Sequence, residues 1–145
     1  MNWAKQFVDI SDDEIETVVE TKKSLLYMYN ECWTKKGDKN FDVAQGAFDS
    51  AEVCDLVGLF LLSEMQAKNL DIQAGVFRDD GLAVTGLNPR QAESTKKKIC
   101  DIYRQHGLGI TGEANKNIVQ FLDVEFDLKK ETYKPYIKPG DVPPT

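Results

Sequence analysis

The chain has 145 residues, 41% of them hydrophobic, which fits one domain whose core needs no metal or disulfide staples. Its three cysteines, Cys32, Cys54 and Cys100, are odd in number, widely spaced and without a CxxC, and there is one histidine, His106; this argues against a disulfide scaffold or structural zinc site and for a reducing, intracellular setting, cytoplasmic or nuclear. The net charge of −6 is uneven, with 7 Lys/Arg against 14 Asp/Glu in residues 1–72 and 11 against 10 in residues 73–145, so a polyanion contact should favour the second half and tight autonomous nucleic-acid binding is not expected.

The N-terminus lacks a basic-then-apolar leader and no apolar run has the length of a bilayer span, so no membrane partner is expected. Ser11-Asp12-Asp13-Glu14 is a capping box, and Ile15, Val18 and Val19 follow it at near-helical spacing; a helix from about residue 12 into the twenties is predicted, its early acids placed to favour the helix N-terminus. Leu25 to Trp33 alternates as a strand would, and a turn at Lys35-Lys36-Gly37-Asp38 leading to Phe41-Asp42-Val43 suggests a hairpin. Gln45-Gly46 then opens a turn before the most apolar helix, where Val53, Leu56, Val57, Phe60, Leu61 and Met65 cover a broad face that must pack on a sheet, with Asp49 or Ser50 as its cap.

The arms Ile72 to Phe77 and Leu82 to Val84 flank a polar tip, Arg78-Asp79-Asp80-Gly81. A hairpin is predicted, with the Asp-Gly pair supplying the positive φ of its turn. Taken alone, the acidic tip reads as a solvated turn, although adjacent carboxylates gain most when a divalent cation is held beside them. Asn88-Pro89-Arg90-Gln91 sets a cap, a first-turn proline and a reciprocal glutamine for a third helix running to Gly107, with Ala92, Ile99, Ile102 and Tyr103 inward and Lys96, Lys97, Lys98 and Arg104 outward. His106 is read as a cation at the negative end of that helix. Leu108 to Thr111 is expected to be extended, and Leu122, Val124, Phe126 and Leu128, alternating with Asp123, Glu125 and Asp127, predict one half-buried strand. Lys129 to Thr132 turns the chain into Tyr133-Lys134-Pro135-Tyr136, and the proline-rich end, residues 139–145, forms no regular element.

Helix, glycine turn, apolar helix, acidic hairpin, basic helix and closing hairpin, in that order, resemble the palm of retroelement reverse transcriptases. Phe77-Arg78-Asp79-Asp80 is similar to the family's Tyr-x-Asp-Asp box, and Gln45-Gly46 with the helix after it to the family's Gln-Gly motif. Gly107-Leu108-Gly109-Ile110 and Phe121-Leu122-Asp123-Val124 fit the region that follows the catalytic hairpin. The resemblance implies an α+β fold, an antiparallel palm-like sheet with helices packed on one face, over residues 1–138. It also implies RNA-directed DNA synthesis on a template-primer from dNTPs, with Mg²⁺ (or Mn²⁺) held by catalytic Asp79 and Asp80. Gln45 and Gly46 would shape the pocket for template base and nucleotide, Phe77 would support the hairpin, and Arg78 would occupy the variable slot facing primer backbone or solvent.

The family's further aspartate, on an earlier palm strand and followed by an aromatic, has no copy here. Phe7-Val8-Asp9-Ile10 comes nearest, but the fifth residue after Asp9 is Glu14 and a helix cap follows at once. The expectation is therefore an internal, incomplete palm, inactive alone, whose missing aspartate comes from a longer polyprotein or a partner chain. The alternative is a non-catalytic α+β interaction module derived from a mobile element.

Overall fold

The computed structural model describes residues 2–22, 25–34, 43 and 47–137. The fold is mixed α+β, with antiparallel sheets and three α-helices among the described residues. The helices are α1 (Asp12–Thr21), α2 (Ser50–Ala67) and α3 (Pro89–Gln105). The strands are β1 (Leu25–Met28), β2 (Glu31–Thr34), β3 (Gln73–Phe77), β4 (Asp80–Val84), β5 (Ile118–Phe121), β6 (Val124–Asp127) and β7 (Thr132–Pro135). Among the described residues they pair as β1-β2, β3-β4 and β5-β6-β7, three small antiparallel sheets. Two compact units divide the chain, Met1–Leu56 and Val57–Thr145.

In the first unit, a short 3-10 helix (Asn2–Gln6) precedes α1. The predicted capping box forms in full: Ser11 Oγ accepts from the Glu14 N–H, and the Glu14 carboxylate accepts from the Ser11 N–H at 2.9 Å. Donation from the Ser11 N–H, and from the Ser11 hydroxyl at 2.8 Å, holds the Glu14 carboxyl below its ordinary range. Asp12 pairs with Lys5, so the early acids of α1 serve its N-terminus and a neighbouring cation. The stretch predicted as one strand from Leu25 to Trp33 is instead a hairpin in itself, with Tyr29 (φ 54°) and Asn30 (φ 63°) forming a two-residue turn and Met28 paired to Glu31. The expected turn at 35–38 lies outside the described residues.

In the second unit the core is chiefly helix on helix. Leu61, Met65 and Ile102 form its centre, with Val57, Phe60, Leu62, Leu70, Ile72, Ile99 and Tyr103 packed around them. Ile102 is fully buried, which stabilises by about 2–3 kcal/mol relative to exposure. The prediction that α2 lies on a sheet holds along one flank, where a Cβ at Gly58 would meet Val76 Cγ1 at 3.4 Å. The other partner is α3, whose Asn88/Gln91 capping box and first-turn Pro89 match the sequence reading, and which stops at His106 before Gly107 (φ 73°). Burial raises the Tyr103 phenol above its ordinary value.

The C-terminal sheet differs from expectation: β5 is a strand the sequence reading does not name, and Leu128 lies in the turn after β6. Leu122 (φ 50°) and Asp123 (φ 61°) are a turn, not the start of a strand, so β5 folds back on β6. A leucine at positive φ costs about 1–2 kcal/mol; pairing Phe121 with Val124 and Val119 with Phe126 offsets it through apolar cross-strand contacts worth about 0.2–1 kcal/mol each. The next turn is held by Asp127, whose Oδ1 accepts from the N–H groups of Lys129 and Lys130, both at 3.1 Å. Tyr136 donates its N–H to the Asp123 carbonyl at 2.7 Å, so by alternation the backbone of Tyr133 and Pro135 faces outward. Pro135 has no N–H to offer there, which blunts the free edge against strand addition. Leu108 to Thr111 joins no strand.

Candidate functional site

The β3-β4 hairpin carries the acidic tip. Its register pairs Gln73 with Val84, Gly75 with Leu82 and Phe77 with Asp80, leaving Arg78 and Asp79 as a two-residue connection. The positive φ belongs to Arg78 (55°) and not to the predicted Asp-Gly pair. Gly81 lies within β4, and a Cβ added to it would meet nothing nearer than 3.8 Å. The turn thus sits one or two residues earlier than the sequence pattern suggests, because in-register pairing of the two apolar arms outweighs the preference of a single glycine.

Register also decides orientation. Val76, which meets α2 at Gly58, lies on one face of the hairpin, and by the two-residue period Phe77, Asp80 and Leu82 lie on the other. Asp79 and Asp80 are exposed. Phe77 is 46% exposed, and the Arg78 guanidinium sits 5.1 Å from its ring centroid. That cation–π contact, worth about 0.5–1 kcal/mol at an exposed site, draws the one cation of the tip onto the aromatic ring. Neither the Asp79 nor the Asp80 carboxylate makes a hydrogen bond or ion pair among the described residues.

Two adjacent open carboxylates suit one hydrated Mg²⁺, which takes one or two carboxylates and completes its shell with water and substrate phosphate. A two-metal site needs a further ligand, and among the described residues no group of three His, Cys, Asp or Glu side chains is placed to hold a metal ion. Asp9 lies in the irregular link between the 3-10 helix and α1, not on a strand. Gln45 and Gly46 lie outside the described residues.

No family model, curated protein or solved structure matches the chain. Among the described residues no helix is long and apolar enough to cross a membrane.

Two contacts escaped the sequence reading. Asp49 pairs with Lys22, which is 5% exposed, and this partner holds the Asp49 carboxyl below its ordinary range. His106 ends α3, where the sequence reading placed it, and its Nε2 lies 3.4 Å from Glu64 Oε2 while its ring meets the Phe60 ring edge-on at 4.7 Å. Partners 27 and 42 residues apart leave no periodic trace in sequence.

Proposed function

We propose that the chain is a piece of an RNA-directed DNA polymerase palm of the reverse-transcriptase kind, presenting Asp79 and Asp80 to Mg²⁺ at the hairpin tip. The observation that carries this reading is the state of the two carboxylates, exposed at the end of a packed hairpin and without partners among the described residues. When bound, Mg²⁺ supplies activation of a primer 3′-hydroxyl and neutralisation of charge on the α-phosphate. Asp79 and Asp80 would hold the cation, Phe77 would support the tip, and Arg78 would face primer backbone or solvent. Gln45 and Gly46 shape the pocket for template base and nucleotide, with template-primer and dNTPs as partners in the full-length enzyme.

Among the described residues no third carboxylate joins Asp79 and Asp80, so these two by themselves do not complete a two-metal site. Supplied with primer-template, Mg²⁺ and nucleotides, it should extend primer no better than its Asp79→Ala variant; clear Asp79-dependent extension would overturn the fragment reading. Amide resonances of residues 77–81 should shift saturably on Mg²⁺ addition and lose that response in Asp79→Ala. The absence of a saturable shift would sink the metal reading. It would favour the alternative, a non-catalytic α+β interaction module from a mobile element. The pairing of the described strands as three separate small sheets favours that second reading.

A further inference from the structure

We draw no further inference here: the strongest candidate, the half-open apolar face of the β5-β6-β7 sheet formed by Val119, Phe121, Val124, Phe126, Tyr133 and Pro135, is an unpartnered surface, and nothing in the structure shows what covers it.

Discussion

The α2–α3 core and the β3-β4 tip belong to the same compact unit and are built on opposite terms. At the core, Ile102 has no exposed surface and Leu61 has 2%, so each side chain is hemmed in by neighbours and a lost methylene leaves a void. At the tip, Phe77, Arg78, Asp79 and Asp80 are all exposed, and the hairpin meets the helix layer through Val76 against Gly58. Stability therefore resides in the helix pair, whereas the chemistry proposed for the chain resides in side chains that contribute little to folding. Residues of the first kind should be costly to change and those of the second cheap.

The sharpest way to break this contrast is at its centre. Ile102→Ala should cost about 2–5 kcal/mol in urea unfolding, the range for truncating a fully buried aliphatic residue; a loss below 1 kcal/mol would mean the core is not where the burial places it. Next comes the junction between the two regions. Gly58→Leu should destabilise by about 1–3 kcal/mol through overpacking against Val76, and the chemical shifts of β3 should move with it; an unperturbed β3 would show that α2 does not support the hairpin.

At the tip itself the effects shrink. Arg78→Ile puts a β-branched residue at φ 55° and loses the cation–π contact with Phe77, and should cost about 0.5–1 kcal/mol or more, while Gly81→Ala should stay within about 0.5 kcal/mol, as for a surface change without strain. The reverse order, measured by thermal or urea melts, would put the turn back at Asp80-Gly81. The smallest effect is on pH dependence. Hydrogen bonds from the Lys130 and Lys129 N–H groups, with the Lys130 cation, hold the Asp127 carboxyl below its ordinary range. Its contribution is therefore present above the unfolded carboxyl value, about 4, and is lost as pH falls through the lower folded value. Asp127→Asn should flatten the acid limb of a stability–pH curve between about pH 5 and pH 3, and an unchanged limb would show that the turn is held by other means.

Helix boundaries are legible in the sequence because the responsible atoms lie within one turn of the chain. Ser11 with Glu14 and Asn88 with Gln91 both close their capping boxes, Gly107 ends α3 at positive φ, and Lys129 to Glu131 turn as expected. Three turns were misplaced for one reason. Tyr29-Asn30, Arg78-Asp79 and Leu122-Asp123 carry no glycine or proline, so alternation ran through two of them and was shifted at the third by a nearby Asp-Gly. Within the candidate site, the hairpin and the exposure of its acids are legible, but the placement of Asp80 on the face away from Val76 is not, because it depends on which face of β3 meets Gly58.

By itself the sequence determined the class of the fold, the three helices with the N-caps of α1 and α3, and a hairpin ending in Asp79 and Asp80, since these follow from propensity, side-chain spacing and hydrogen bonds within a few residues. Tertiary structure decided the rest. It set α2 against both α3 and β3, and drew Lys22 to Asp49 and His106 to Glu64. Those outcomes rest on contacts between segments far apart in the chain, where packing and strand register, and not local preference, select the arrangement.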